Sequence, residues 1–190
     1  MEIKGYFPTG ILTHQVPDKV SDYIESIVVP RLSNLENAQK YTLDNVLTDY
    51  YQQTDTISRK ELLPLTQEID KCVNYYSQTV GEPINSFSYW VQDYVKNQFH
   101  GSHNHGRETI LSVVYWVRAS ENAGKLILEE SNPLKKLWFG KQNGISPFKY
   151  GRAEFTPQKG YLVVFPGYME HKVLPSKENC IRTTIAFNYY

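Results

Sequence analysis

The feature that most constrains the fold is an alternation of apolar and polar side chains that begins near residue 84 and continues to residue 190. Segments rich in Val, Ile, Tyr, Phe and Trp follow this two-residue period, and Gly- or Pro-containing turns separate them. They are residues 84–96, 108–118, 125–130, 151–156, 161–165, 170–174 and 181–189. Short strands in this number, without helices between them, predict an antiparallel β-sandwich or barrel.

The N-terminal part of the chain follows a helical pattern instead. After Asp18, apolar residues recur at the three- and four-residue spacing of one helix face, and Pro30 marks a kink or an end. Residues 38–56 are polar and rich in Thr and Tyr without a clean period, which predicts an extended or looping connection.

A second helix is marked at both of its ends. Ser58 and Glu61 have the spacing of a capping box, and Gly81 follows the last apolar residue of the pattern. We therefore predict one domain that is mainly β with N-terminal helices. Residues 1–83 would form a helical support, and residues 84–190 would form the β core.

Composition and charge exclude several classes of protein. Lys and Arg total 20 and Asp and Glu total 20, and this zero net charge argues against a general nucleic-acid binder. The apolar runs are far shorter than the ~20 residues of a membrane helix, and the first residues lack a secretion signal. Cys72 and Cys180 lie far apart, which excludes a disulfide scaffold and favours reduced thiols in a cytoplasmic protein.

Histidines are concentrated just after the first predicted strand. His103 and His105 form a His-x-His pair, and in an extended chain residues two apart point to the same face. Two such imidazoles can chelate one divalent metal ion. The alternative is a surface loop that holds two histidines by chance.

A further histidine and an arginine occupy the last predicted strands. A buried strand ends at Pro166-Gly167, and the next short strand presents His171 among apolar residues. Arg182 follows eleven residues later in a strand of the Val/Ile type, where a guanidinium is costly unless it binds an anion such as a carboxylate. The alternative is a histidine at the edge of the core and an ordinary salt-bridged arginine.

These residues belong to a longer series of motifs. The series is His103-Asn104-His105, Ser112-Val-Val-Tyr-Trp116, Gly160-Tyr-Leu-Val-Val-Phe-Pro166, His171-Lys-Val-Leu-Pro175 and Arg182-Thr-Thr-Ile-Ala-Phe-Asn188. Over residues 88–190 it resembles the Fe(II)/2-oxoglutarate-dependent dioxygenases, and in particular a group of oxygenases found in marine bacteria and phages. The chain departs from that group at Val113, where the group has Gly, and at Trp116, where it has Tyr.

The resemblance implies a double-stranded β-helix core of the jelly-roll or cupin-like type. It implies an oxygenase, most simply a hydroxylase, that couples oxidative decarboxylation of 2-oxoglutarate to succinate with oxidation of a substrate. Its cofactors would be Fe(II) and 2-oxoglutarate. Its other partners would be O2 and a small-molecule or peptidyl substrate, with no nucleic acid and no membrane.

The resemblance also implies an iron site. His103 and His171 would be the two histidine ligands of Fe(II), and His105 stands where most of the superfamily has Asp or Glu. We predict His105 as the third ligand. The alternative is an acid from elsewhere, such as Asp93 or Glu108, which would complete the site in its place.

For the cosubstrate, the resemblance implies that Arg182 clamps the distal carboxylate of 2-oxoglutarate and that Thr184 adds a hydroxyl group. Tyr94 stands where superfamily members often have a tyrosine that bonds the cosubstrate, although an ordinary core tyrosine is the alternative. His100 lies three residues before His103, so we expect it on the opposite side of an extended strand.

Two other functions remain open at this point. One is a three-histidine non-haem iron dioxygenase that does not use 2-oxoglutarate, and the other is a jelly roll that binds a metal or ligand without turnover. Residues 131–150 form a long insertion with several aromatic and lysine residues. Such an insertion is either a lid or a solvated crossover, and we expect it to border the substrate entrance.

Overall fold

The computed structural model describes residues 9–81, 83–130, 151–176 and 180–190. The predicted lid at residues 131–150 lies outside the described residues. The helices are α1 (Asp18–Val28) and α2 (Arg59–Val80), with short 3-10 helices at Val29–Asn34 and Ala38–Lys40. The strands are β1 (Leu12–Gln15), β2 (Glu36–Asn37), β3 (Leu47–Thr48), β4 (Phe87–Tyr94), β5 (His100–His103), β6 (Leu111–Ala119), β7 (Leu126–Glu129), β8 (Arg152–Phe155), β9 (Tyr161–Pro166), β10 (His171–Val173) and β11 (Arg182–Tyr189).

The strands form two antiparallel sheets. The large sheet has the order β1-β9-β6-β11-β4-β3-β2, and the small sheet has the order β5-β10-β7-β8. β11 lies at the centre of the large sheet, where it pairs with β4 on one side and with β6 on the other. The predicted antiparallel two-sheet architecture is confirmed.

Both predicted helices are present. The α-helix that starts at Asp18 ends at Val28, and Pro30 lies in the 3-10 turn that follows. The second helix begins with the capping box predicted at Ser58 and Glu61, and it ends at Gly81. Gly81 has a φ of 79°, a left-handed conformation that favours glycine at this position.

The N-terminal part contributes short strands to the large sheet in addition to its helices. β1 pairs with β9 at one edge of the large sheet, and β2 and β3 extend its other edge through β4. β2 and β3 have two residues each, so they show no period that a sequence pattern could reveal. β3 forms because it hydrogen-bonds along the edge of β4, and β2 in turn pairs with β3.

The large sheet has an apolar core on each of its faces. One core lies under the helices, where Ile24, Leu62 and Ile69 pack with Val113 and Phe187 of the strands. In an apolar environment each such side chain contributes roughly 1.5–3 kcal/mol to the free energy of unfolding. The helices therefore pack on one face of the large sheet, and the small sheet packs on the other.

The second core lies between the two sheets. Trp116 and Phe165 from the large sheet pack with Leu126 and Val173 from the small sheet. The ring of Phe165 also contacts the ring of His171, with 4.9 Å between centroids. The predicted metal ligands therefore lie next to this core.

Cys72 and Cys180 are both buried thiols, and no disulfide joins them. Neither α1 nor α2, nor any other helix in the described ranges, is long and apolar enough to cross a membrane.

Candidate metal centre

Three histidines, two of them on neighbouring strands and one just after β5, meet at one end of the small sheet. His103 is the last residue of β5 and His171 is the first residue of β10, and the two are direct partners in the register. His105 follows two residues after β5. Candidate ligand nitrogens of the three imidazoles all lie within 4.8 Å of one another, and no other group of this kind occurs in the described part of the chain.

A close approach of two backbones holds His105 in place. Its N–H donates to the carbonyl oxygen of Gly167 at 2.9 Å, and the N–H of Gly167 donates to the carbonyl of Ile110 at 3.0 Å. A Cβ at Gly167 would lie only 2.2 Å from the carbonyl oxygen of Thr109. Glycine is therefore required at this turn, which the Pro166-Gly167 pair marks in the sequence.

Each imidazole uses its Nδ1 atom within the protein. Nδ1 of His103 lies 2.8 Å from the carbonyl oxygen of Gly101, and Nδ1 of His171 lies 3.0 Å from that of Met169. Because a carbonyl oxygen only accepts, Nδ1 carries the proton in both rings. The Nε2 atom of each ring then has its lone pair available for a metal ion.

His105 is oriented by a side-chain pair rather than by a carbonyl. Nδ1 of His105 lies 2.8 Å from the hydroxyl oxygen of Ser112, and that hydroxyl donates to Oδ1 of Asn188 at 3.3 Å. Since the serine proton points to Asn188, Nδ1 of His105 is the donor in the first bond. All three imidazoles therefore expose the same ring nitrogen.

Burial keeps the three imidazoles neutral at pH 7. Burial lowers the pKa of His103 to about 4 and that of His171 well below the usual value, and the neighbouring histidines add to both effects. Burial likewise lowers the pKa of His105. Neutral imidazole is the form that binds a metal ion.

Neither acid that was considered as an alternative ligand joins this group. Asp93 accepts a hydrogen bond from Thr183 and lies 3.6 Å from the guanidinium of Arg118. Glu108 is exposed. The donor set consists of three imidazoles.

The expectation that His100 faces away from His103 is wrong. The two rings stack with 4.0 Å between centroids. In the register His103 pairs with His171 and His100 pairs with Val173, so β5 has one residue more than β10 over this interval. Such a bulge turns His100 to the same side as His103.

Arg182 is a buried cation that has no acidic partner among the described residues. It is the first residue of β11, it is 1% exposed, and its guanidinium carbon lies 4.5 Å from the ring centroid of Tyr94. Its Nε and Nη1 atoms have no hydrogen-bond partner in the part of the chain that the structure describes. Burial lowers the pKa of Arg182 to about 10, which leaves it charged at pH 7.

Other unpaired polar atoms lie beside this guanidinium. Thr184 follows two residues after Arg182 on the same face of β11, and Trp116 is its partner in the register. Oγ1 of Thr184 and Nε1 of Trp116 are buried without a partner, and the Trp116 ring lies 5.9 Å from the guanidinium carbon of Arg182. Buried polar groups are nearly always paired, so this set fits a bound anion that accepts hydrogen bonds.

Sequence reasoning did not assign Trp116 to the site, although its departure from the Tyr of related oxygenases was a signal. Tyr94 lies in the site but uses its hydroxyl elsewhere, since it donates to Oε1 of Gln92 at 3.2 Å. Burial raises the pKa of Tyr94 to about 12, so the hydroxyl remains a donor. Gln92 contacts His100 in turn, which links the Arg182 pocket to the histidines.

Comparison with known families agrees with this arrangement. The family described as "Putative 2OG-Fe(II) oxygenase" matches residues 88–188, a range that includes the histidines, Arg182, Thr184 and Trp116. No curated protein matches the chain.

Solved structures show the same fold at low sequence identity. A prolyl-4-hydroxylase of Pseudomonas putida aligns with a TM-score of 0.70 at 16% identity, over 95% of this chain and 92% of that one. A prolyl hydroxylase of Trichoplax adhaerens, in complex with a hypoxia inducible factor peptide fragment, aligns with a TM-score of 0.69 at 12% identity, over 96% and 84%. The non-haem carbocyclase SnoK of nogalamycin biosynthesis aligns with a TM-score of 0.65 at 11% identity, over 95% and 79%.

These similarities confirm the predicted jelly-roll core, and they show the fold alone. The donor set fits the cofactors of the matched family, because three neutral imidazoles suit Fe(II) and the unpaired atoms around Arg182 suit a carboxylate. The family match spans more than half of the chain. The chain belongs to the family of 2OG-Fe(II) oxygenases, which use Fe(II) and 2-oxoglutarate.

Proposed function

We propose that this oxygenase is a hydroxylase, which couples the conversion of 2-oxoglutarate to succinate and CO2 with hydroxylation of a C–H bond. The observation that carries the proposal is the buried, unpaired guanidinium of Arg182 beside three neutral imidazoles. An iron dioxygenase that does not use an oxo acid has no need for this cation. When bound, Fe(II) would bring the oxo acid and O2 together and would activate O2, which is the oxidant for the C–H bond.

In this proposal His103, His105 and His171 hold Fe(II) through their Nε2 atoms. The hydrogen bonds from their Nδ1 atoms fix the tautomer and the orientation of each ring. Their neutral state means that no proton has to leave before the metal binds at pH 7.

Arg182 holds the distal carboxylate of 2-oxoglutarate, and Thr184 and Trp116 add hydrogen bonds to it. The support is that all of their unpaired atoms are buried at one place on the large sheet. Tyr94 assists by packing its ring on the guanidinium. The apolar core between the sheets excludes water from this pocket, which strengthens each of these interactions.

The direct test is to add 2-oxoglutarate to the Fe(II)-loaded protein without O2 and to look for a metal-to-ligand charge-transfer band. We expect the band, and we expect succinate after O2 is admitted. An Fe(II)-loaded protein that shows neither would contradict the proposal.

Replacing Ser112 with alanine should weaken Fe(II) binding by about 10- to 100-fold, because Nδ1 of His105 would lose the partner that orients the ring. The measurement is a calorimetric titration with Fe(II) in the absence of O2. Ser88→Ala is the matched control, since Ser88 pairs with Asn188 on the other side of β11 and its hydroxyl contacts Tyr190. Equal affinities in the two variants would count against an orienting role.

Replacing His105 with alanine should lower the affinity for Fe(II) by at least about tenfold. Removing a group that only orients a metal ligand already lowers metal affinity by that factor, and removing the ligand itself should lower it no less. Replacing it with aspartate should keep or raise the affinity, since a carboxylate adds negative charge next to the cation. The metal affinity of both variants is measured in air by titration with Mn(II) in place of Fe(II), followed by electron paramagnetic resonance. A His105→Ala protein with full affinity and activity would show that His105 is not a ligand.

We further propose that the chain acts as one domain in the cytoplasm. The large sheet contributes to both cores, which supports a single domain. The two buried thiols suit a reducing compartment.

A further inference from the structure

A cleft of about 220 Å³ opens beside the histidines. His103 and His105 form part of its lining, Trp90 of β4 forms another part, and Tyr50 and Tyr51 enter from the segment between β3 and α2. A molecule in this cleft would touch the candidate iron ligands and these aromatic rings together. The cleft therefore has the position that a substrate of the oxygenase needs.

The aromatic rings meet at large angles rather than in a flat stack. The Tyr50 ring lies 4.9 Å from the Tyr51 ring at 86° and 5.0 Å from the Trp90 ring at 71°. The Trp90 ring lies 6.0 Å from the His105 ring. Tyr50 remains 56% exposed, so π surface is accessible at the cleft. Accessible aromatic ring surface of this kind attracts a cation.

Asp44 adds a negative charge to the lining. Because Oε1 of Gln92 accepts from Tyr94, its Nε2 group is the donor that lies 3.3 Å from Nδ1 of His100. Nε2 of His100 lies 3.1 Å from Oδ2 of Asp44, and Oδ1 of Asp44 accepts from the N–H of Gly101 at 3.0 Å. These contacts hold the carboxylate of Asp44 in place at the cleft.

Among the described residues that line the cleft, none is lysine or arginine. Lys40, which lies 5.3 Å from the Tyr41 ring, is bonded to Glu36 at 2.9 Å. A phosphate or carboxylate in the cleft would meet the carboxylate of Asp44 without a lysine or arginine among these residues to pair with. An organic cation would complement both the carboxylate and the rings.

We propose that the cleft binds the substrate and that the substrate is an aliphatic amine, protonated at pH 7, whose cation lies between Asp44 and the rings of Tyr50, Tyr51 and Trp90. For the oxidation step this inference rests on the proposed function. The Tyr50 ring contacts the Trp90 ring, which in turn contacts the His105 ring. The distance from the bound cation to the carbon that is oxidised is therefore one that a short aliphatic chain can span. The reaction balances as R–H, 2-oxoglutarate and O2 giving R–OH, succinate and CO2.

The test compares three probes of equal length on the protein loaded with Fe(II) and 2-oxoglutarate without O2. They are n-butylammonium, 1-butanol and butyrate, and binding is followed by tryptophan fluorescence and by the charge-transfer band. We expect n-butylammonium to bind about tenfold more tightly than 1-butanol, and butyrate to bind least, because only the cation gains from the rings and Asp44.

Substitutions in the cleft test which of its residues bind n-butylammonium. Tyr50→Leu should weaken n-butylammonium binding about fivefold and Tyr50→Phe should leave it unchanged, because phenylalanine keeps the ring. Asp44→Asn should weaken it by a similar factor. Tyr75→Leu is the control, because Tyr75 is an exposed tyrosine on α2 that does not line the cleft.

The source of the amine is distinguished by comparing Nα-acetyl-lysine amide, which stands for a peptide side chain, with 1,5-diaminopentane, which stands for a free amine. If Nα-acetyl-lysine amide binds more tightly and gives succinate, the substrate is a peptide side chain. If 1,5-diaminopentane does so, the substrate is a free amine.

Equal binding of 1-butanol and n-butylammonium, or wild-type amine affinity in both Tyr50→Leu and Asp44→Asn, would overturn the proposal. The titrations are repeated without Fe(II) and 2-oxoglutarate, so that the cleft is tested whatever the outcome for the cofactors. Amine binding that persists where no charge-transfer band forms would contradict the proposed hydroxylase and leave the cleft assignment intact.

Discussion

Replacing Arg182 with leucine should raise the KM for 2-oxoglutarate by about two to three orders of magnitude, because the distal carboxylate would lose a charged and buried partner. The affinity for Fe(II) should change little, since Arg182 makes no hydrogen bond to the three histidines. The measurements are succinate formation at varied 2-oxoglutarate and a separate titration with Fe(II). An unchanged KM would exclude Arg182 as the anchor.

The Arg182→Leu variant should also differ from the wild type in how its Tm responds to 2-oxoglutarate. In the protein without 2-oxoglutarate, a leucine at this position removes a buried charge that has no acidic partner, so the Tm should not fall. Saturating 2-oxoglutarate should raise the Tm of the wild type and not that of the variant. Arg152→Leu is a suitable control, because it removes an exposed arginine from β8.

Replacing His171 with alanine should reduce the affinity for Fe(II) by at least about a hundredfold and abolish succinate formation. Groups that only orient a metal ligand are already worth about 10- to 100-fold, and His171 would be a ligand itself. It is also the most deeply buried of the three histidines, so water replaces it poorly. Calorimetry with Fe(II) under nitrogen measures the loss.

His14→Ala provides the comparison for that experiment. His14 lies on β1 with its Nε2 atom 3.8 Å from a carboxylate oxygen of Glu68, outside the metal centre. This variant should bind Fe(II) as the wild type does. If His171→Ala bound Fe(II) equally well, the three-histidine centre would be wrong.

The β core could be predicted in detail because most of its strands are rich in β-branched and aromatic residues and are bounded by Gly- or Pro-containing turns. The predicted segment 181–189 corresponds to β11 at Arg182–Tyr189, and 161–165 corresponds to β9 at Tyr161–Pro166. β5 at His100–His103 was not predicted, since its sequence His-Gly-Ser-His has no apolar period. It becomes a strand because β10 offers it hydrogen bonds.

The sequence by itself determined which residues are candidates for the site. Residue types, their order along the chain and the family resemblance that these motifs carry were enough to name His103, His105, His171 and Arg182. The register of β5 with β10 and the central place of β11 then bring these residues to one end of the sheets.

Only the tertiary structure decided what surrounds them. His100 turns toward His103 because of a bulge, and Trp116 joins Arg182 because β6 pairs with β11. Tyr50 reaches the cleft from a segment without any period. These contacts join residues far apart in sequence, and their energy depends on which strands pair and in which register. An alternation pattern records the face on which a side chain lies, whereas it carries no information about the strand that will lie beside it.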